Sequence, residues 1–250
     1  MNNNYLKEKL IIDNEEMVQP DYEDGILILT HSQAVIDVCK ARDIPVVGIE
    51  LEGGAYLDCP QLIIDADEVE DDQYEKMYRR CKGIPWSIAI TDRCFIREYC
   101  EDDLDDLFEL YNQPHMTDYM ETLFEYEEEK EYERNYIEYI YKLYGFGMWL
   151  VFDKLTGELI GRAGIEVRET CTEENQAELG FAISSKRWHE GLAYEVCSKI
   201  IELATEEYEL QSLIARCDPD NKASRNLLNK LGFCLIGYEQ DGDCRYKKDL

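Results

Sequence analysis

Basic residues are scarce in this chain. Its 250 residues include 26 Lys and Arg against 55 Asp and Glu, for a formal net charge of -29. Binding DNA or RNA through phosphates needs clustered cations, so nucleic acid is not an expected partner. Long apolar runs are also missing. None approaches the ~18 consecutive apolar residues of a membrane span, and Met1–Leu10 lacks the apolar core of a secretory signal. A cytoplasmic protein without a membrane partner is expected. Histidine is limited to His31, His115 and His189. The ten cysteines contain no Cys-x-x-Cys pair, so reduced thiols and no metal are expected. The acidity either draws in a cationic substrate or partner or serves only solubility.

What is present falls into two parts. Residues 1–90 read as a small α/β unit. Gly25–Thr30, Ile44–Ile49 and Leu62–Asp65 are short strands, and the continuous apolar character of the second suits burial on both faces. Ser32 can cap a helix over Gln33–Ala41, and Glu68–Cys81 reads as a closing amphipathic helix. Strands alternating with helices imply parallel βαβ pairing, a Rossmann-like arrangement. The pattern over residues 24–80 resembles part of a haloacid-dehalogenase-like domain. The Asp-x-Asp nucleophile of that family is not supplied near Asp13, and Asp65-Ala-Asp67 falls at the end of the unit. The resemblance therefore implies a truncated, non-catalytic companion. Lys82-Gly-Ile-Pro85 marks the approach to a boundary, and residues 91–250 form the second part.

In the second part Cys94–Arg97 reads as a strand and Asp102–Tyr111 as a helix with an acidic first turn. Glu121–Lys142 interleaves Glu with Tyr; Tyr and Ile are expected to pack inward and Glu to face water. Met148–Asp153 and Glu158–Val167 flank the turn Lys154-Leu-Thr-Gly157, a hairpin signal. Gln176–Ile183 completes an antiparallel meander. A helix over Tyr194–Glu207, a strand at Ser212–Cys217, a helix over Ala223–Leu231 ended by Gly232, and strands at Phe233–Glu239 and Arg245–Lys248 follow.

The most informative stretch is Ile183–Ala193, which joins a strand to a helix with Gly191 and Ala193 at the helix opening. Small residues there let backbone N–H groups approach a phosphate, with the positive end of the helix dipole behind them. An ordinary tight turn is the competing reading.

Three motifs lie in order. They are Asp153-Lys-Leu-Thr-Gly-Glu-Leu-Ile-Gly161, Trp188-His-Glu-Gly-Leu-Ala193, and Asp220-Asn-Lys-Ala-Ser-Arg-Asn-Leu-Leu-Asn-Lys-Leu-Gly-Phe233. Together they resemble the GNAT N-acetyltransferases over residues 92–250. The resemblance implies an α/β fold with a mixed, mostly antiparallel sheet flanked by helices. It also implies acetyl transfer from acetyl-CoA, as co-substrate, to a primary amine on a cationic small molecule or a peptide N-terminus.

By that resemblance the loop Trp188, His189, Glu190, Gly191, Leu192 and Ala193 holds the pyrophosphate. The backbone of Phe181, Ala182 and Ile183 accompanies the pantetheine arm, and Asn221 bonds that arm or orders its turn. Lys186 and Arg187 add charge near the phosphates or serve solubility. Glu178 is the candidate base, or an exposed strand residue. Ser224 is the candidate acid or thiol contact, or a helix-capping residue.

Trp188 stands where many members carry Gln or Arg, and Leu228 where many carry a tyrosine acid. Both departures resemble the subgroup of ribosomal-protein N-terminal acetyltransferases. A non-catalytic acyl-CoA sensor or interaction module is the alternative. The oligomeric state is open, with a homodimer as one option.

Overall fold

The computed structural model describes residues 4–51 and 53–250. The chain divides into two compact units between Trp86 and Ser87. The division therefore falls just after Pro85, and strand Ser87–Ile90 belongs to the second unit, although the sequence division at 90 leaves it in the first.

The first unit is a parallel four-stranded sheet in the order β1 (Glu8–Ile11), β2 (Ile26–Thr30), β3 (Val46–Ile49) and β4 (Leu62–Ile63). Helices α1 (Gln33–Ala41) and α2 (Asp71–Cys81) cover its two faces. Alternation along β2 explains the layering. Ile28 packs with Val35, Ile36 and Cys39 of α1, while Leu27 and Leu29 pack with Tyr74 and Tyr78 of α2. Strands buried on both faces lose the polar–apolar alternation, which is why β2 and β3 read as unbroken apolar runs. Ser32 caps α1 by accepting from the Val35 amide. β1 lay outside the expected strands because three of its four residues are exposed.

The second unit carries an eight-stranded sheet. In chain order its elements begin with β5 (Ser87–Ile90), β6 (Cys94–Arg97), α3 (Leu104–Tyr111) and α4 (Tyr126–Asn135). A π-helical segment, Tyr136–Ile140, leads into α5 (Tyr141–Tyr144). Then come β7 (Met148–Asp153), β8 (Leu159–Glu166), β9 (Gln176–Ile183), α6 (Leu192–Glu206), β10 (Ser212–Cys217), α7 (Lys222–Lys230), β11 (Cys234–Tyr238) and β12 (Cys244–Asp249). The sheet order is β11-β12-β10-β9-β8-β7-β6-β5. Every neighbouring pair is antiparallel except β9–β10, which is parallel. The mixed, mostly antiparallel sheet is thus as expected, with β5 added at one edge.

Helix α6 shows why it forms where it does. Leu192, Val196, Ile200 and Ala204 recur every fourth residue and make a buried stripe. That stripe packs with Ala177, Leu179 and Ile183 of β9 and with the fully buried Trp149 in one core. Helix α4 departs from the expected pattern. Glu129 and Glu133 are buried, at 2% and 0% exposure, while Tyr132 and Tyr139 are exposed. The Glu129 carboxylate accepts the Phe124 amide at 2.9 Å. Glu133 faces Arg162 of β8, with Nη1 and Oε1 2.8 Å apart. A buried cation on the sheet has drawn the acidic side of the helix inward.

Candidate active site

The site begins where two parallel strands part. β9 and β10 are in register only at Gln176–Ser212, Ala177–Leu213 and Glu178–Ile214. Beyond these, β9 continues against β8 as far as Ile183, and β10 continues against β12 as far as Cys217. From Leu179 onward one edge of β9 therefore faces no strand among the described residues. In an antiparallel ladder alternate residues aim their N–H and C=O groups away from the partner. This open edge consequently offers backbone donors and acceptors to something other than protein.

The strand runs out into the segment singled out above. His189 and Gly191 have positive φ, 65° and 80°, and Gly191 is the N-cap of α6 with no side-chain cap bond. The first amides of a helix have no intrahelical acceptor, so those of Leu192 and Ala193 point outward with the dipole behind them.

Side chains brace this turn. The Trp188 indole donates to the Ile183 carbonyl at 2.7 Å. Arg187 donates to Asp153 at 2.8 Å and to Glu190 at 2.9 Å. Asp153 also accepts the Thr156 and Leu155 amides in the β7–β8 turn, and these bonds with Arg187 bring its carboxyl down to about 2. Arg93, from the β5–β6 turn, donates to the Glu190 carbonyl at 2.9 Å and to Glu195 at 2.7 Å. Burial would raise the Glu195 carboxyl, but the bonds from the Thr91 hydroxyl and from Arg93 outweigh it and hold it below the usual carboxylate range.

The other wall is the β10–α7 connection. Asn221 is the N-cap of α7 and accepts the Ser224 amide at 3.0 Å. Its side-chain oxygen orders the turn, and its amide N–H groups are left to donate. Ser224 is half-buried on the first turn of α7. Leu228 is fully buried in the core, so the position where many family members carry a tyrosine holds a core side chain here. Lys230 lies 4.0 Å from the ring centre of Tyr194, joining α7 to the first turn of α6.

Glu178 stands at the apex, half-buried, and accepts the Thr170 hydroxyl at 2.6 Å. Glu166 is its register partner on β8, so two carboxylates share one face. Tyr136 donates its hydroxyl to Glu166 at 2.6 Å and accepts the Met148 amide at 2.7 Å. Burial, and then the Glu166 charge, hold the Tyr136 phenol far above its usual range, so it stays protonated as a donor. Beside these groups opens a groove of about 720 Å³ lined by Tyr132, Tyr139, Tyr144, Glu166, Thr170 and Arg216, among others.

The structure thus brings Glu178 and the open edge of β9 to one place. It sets the Trp188–Ala193 turn at the far end of that edge and Asn221 and Ser224 across from it on α7. Sequence reasoning missed Glu166, Thr170, Tyr136 and Arg216. The signal available for Glu166 was alternation: Arg162, Gly164 and Glu166 share the face of β8 opposite Ile165. Among the described residues, no group of His, Cys, Asp or Glu could hold a metal ion.

Comparison with known proteins bears on this geometry. Residues 93–234 match the profile of the acetyltransferase (GNAT) domain. The chain is 32% identical over 147 residues to the uncharacterized protein YkkB of Bacillus subtilis, covering 58% of this chain and 83% of YkkB. It is 29% identical over 155 residues to the uncharacterized N-acetyltransferase p20 of Bacillus licheniformis, covering 60% of this chain and 84% of p20. Among solved structures it resembles a GNAT-family acetyltransferase from Bacillus anthracis, with TM-score 0.55, 20% identity, and coverage of 66% of this chain and 98% of the other. It also resembles RimL, a ribosomal α-N-protein acetyltransferase, in complex with coenzyme A, with TM-score 0.57, 17% identity, and coverage of 66% and 98%. At these identities the structures speak for the fold. The haloacid-dehalogenase-like resemblance of the first unit finds no support in these comparisons. The match to the domain profile spans more than half of the residues, and the chain belongs to the acetyltransferase (GNAT) family.

Proposed function

We propose that the second unit transfers an acetyl group from acetyl-CoA to a primary amine held in the tyrosine-lined groove, on a cationic small molecule or a peptide N-terminus. The observation that carries this reading is the open edge of β9, which runs from Glu178 to a helix N-terminus without a side-chain cap. Five residues separate Glu178 from Ile183, about 17 Å of extended strand at ~3.3–3.4 Å per residue. That length suits a long, thin thioester arm lying beside the strand, with its phosphates at the uncapped end.

The amides of His189 to Ala193 bind the pyrophosphate. Phe181 offers main-chain groups to the arm; Ala182, opposite Arg162, turns its own toward β8, and the Ile183 carbonyl is already engaged by Trp188. A backbone N–H of the same edge polarises the thioester carbonyl as negative charge develops on its oxygen. Glu178, positioned by Thr170, takes the ammonium proton directly or through one water. The amine nitrogen then bonds to the carbonyl carbon and the carbon–sulfur bond breaks; the second proton lost by the nitrogen passes to the departing thiolate, toward which Ser224 directs its hydroxyl.

Charge is distributed to suit. Residues 101–144 carry 15 Asp and Glu against three Lys and Arg, whereas residues 216–250 carry six against seven. The α3–α5 side attracts a protonated amine, and the α7 side is spared the repulsion that phosphates would meet elsewhere.

Calorimetric titration with acetyl-CoA and an amine panel read by free thiol release test the reading. Binding with turnover, reduced by about 100-fold or more in Glu178→Gln as befits a lost general base, is the expected result. Absence of binding at millimolar acetyl-CoA would refute it. Binding without turnover across the panel would favour the sensor.

A further inference from the structure

The groove is lined by Arg216, which has a second arginine beside it in the sheet. Arg216 of β10 and Arg245 of β12 are direct partners in their antiparallel ladder, so both side chains leave the same face of the sheet. Like charges directly opposite one another are destabilising in a sheet. Both Nε groups are buried and, among the described residues, have no hydrogen-bond acceptor.

Three carboxylates pair with these guanidiniums, all at long range. Arg216 lies 3.4 Å from Asp241 and 3.3 Å from Asp243, and Arg245 lies 3.4 Å from Glu239. These distances are long beside the 2.7–2.9 Å of a strong charge-assisted bond. Arg245 also donates to the Thr170 carbonyl at 2.7 Å, which ties it to the residue that positions Glu178. In a chain with net charge -29, two opposed guanidiniums beside an open groove need a reason.

The opposite polarity stands close by. Glu178 is the register partner of Ile214, and Arg216 is two residues further along β10, about 7 Å at the rise of a strand. Glu166 lines the groove itself, and Tyr139, Tyr144 and Ile140 supply an apolar wall.

We propose that the acceptor is a zwitterion of amino-acid type, a primary amine with a carboxylate a few bonds away and an apolar or aromatic side chain. Arg216, backed by Arg245, binds the carboxylate. Glu166 and Glu178 face the ammonium, and the tyrosines flank the side chain. This rests on the acceptor reading above and makes it more specific than a plain cation. The reaction is N-acetylation of the α-amine: one ammonium proton leaves through Glu178, the N–C bond forms, the C–S bond breaks, and the nitrogen's second proton offsets the one taken up by the departing thiolate.

The test compares L-phenylalanine, L-phenylalaninamide and phenethylamine as acceptors, with thiol release as readout, in the full-length wild type and in Arg216→Met and Arg216→Lys. The expected result is a kcat/KM for L-phenylalanine at least about tenfold above that of both analogues, because a site built to bind a polar group rejects ligands that lack it. That ratio falls towards one in R216M. In R216K it lies between, because a lysine cannot reproduce the planar fork. Equal rates for all three acceptors in wild type overturn the inference while leaving acetyl transfer intact, and this comparison needs no variant to fold. An unchanged ratio in a folded R216M also overturns it. If acetyl-CoA binds and no amine in this set or among polyamines and peptides is acetylated, the acceptor reading itself falls and the inference with it.

Discussion

The buried Glu133–Arg162 pair permits a quantitative prediction. Glu133 is fully buried, Arg162 nearly so, and both Glu133 oxygens lack a well-directed donor among the described residues. The 2.8 Å approach is therefore a charge contact rather than an aligned hydrogen bond. Burial pushes the Glu133 carboxyl up to about 7 from 4.5; Arg162 opposes the rise and neighbouring Glu129 adds to it. A rise of that size makes ionised Glu133 cost the fold about 3 kcal/mol. Between pH 4.5 and 7 the folded chain holds a proton at this site that the unfolded chain has released. The contribution is thus fully present below 4.5 and is lost as pH rises through 7.

Glu133→Gln cannot titrate. The unfolding free energy of the variant should therefore improve relative to wild type by about 3 kcal/mol between pH 4.5 and 8; at the low end of that range glutamine replaces one neutral group with another. Urea unfolding at pH 5, 6, 7 and 8 measures this. A W86F/W188F background leaves the buried Trp149 as reporter. A difference between the two proteins that stays constant with pH would refute the reasoning.

Three further outcomes follow from the geometry. Trp188→Phe removes the 2.7 Å bond to the Ile183 carbonyl; at about 1 kcal/mol for such a bond, acetyl-CoA affinity should drop roughly fivefold by calorimetry with little change in melting temperature. At Gly191, with φ of 80° and only Arg93 Nη2 at 3.8 Å from an added Cβ, alanine has space but a strained backbone. Gly191→Ala should cost about 1–2 kcal/mol, visible as weaker acetyl-CoA binding. Leu228→Ala empties a fully buried position and should cost about 2–5 kcal/mol in chemical denaturation; Leu228→Tyr should also destabilise by overpacking and should not raise turnover.

Much of this was legible in the sequence wherever one local rule governed. The β7–β8 hairpin showed because Gly157, with φ of 75°, closes the turn and the strands on each side are apolar. α6 and α7 showed through four-residue spacing and the Asn221 cap. β1 did not show, since its pairing with β2 comes from backbone bonds while three of its four side chains face solvent. Glu129 and Glu133 were misjudged for a related reason. A carboxylate reads as exposed until the cation that neutralises it is known, and Arg162 comes from a strand 29 residues further along the chain. The tyrosine-lined groove was hidden most completely, being assembled from α4, the π-helical segment, the β8–β9 connection and β10.

Under the proposed function, the bracing of the Trp188–Ala193 turn determines what kind of anion site it makes. A phosphate site can rely on mobile guanidiniums that close around the ligand, or on a fixed array of amides. Here Arg187 is committed to Asp153 and Glu190, and Arg93 to Glu195 and the Glu190 carbonyl. Both guanidiniums hold the loop's own backbone and acidic side chains in place. Trp188 does the same through its indole, where a Gln or Arg could have turned outward. Three side chains thus fix the path from Ile183 to Gly191, at positions where His189 and Gly191 already take up left-handed backbone. The proposed site thus has its amides aimed before the ligand arrives, and little ordering entropy should be lost on binding. An acidic chain gains from this arrangement, because a helix N-terminus supplies positive potential without adding a cation that nearby carboxylates would capture.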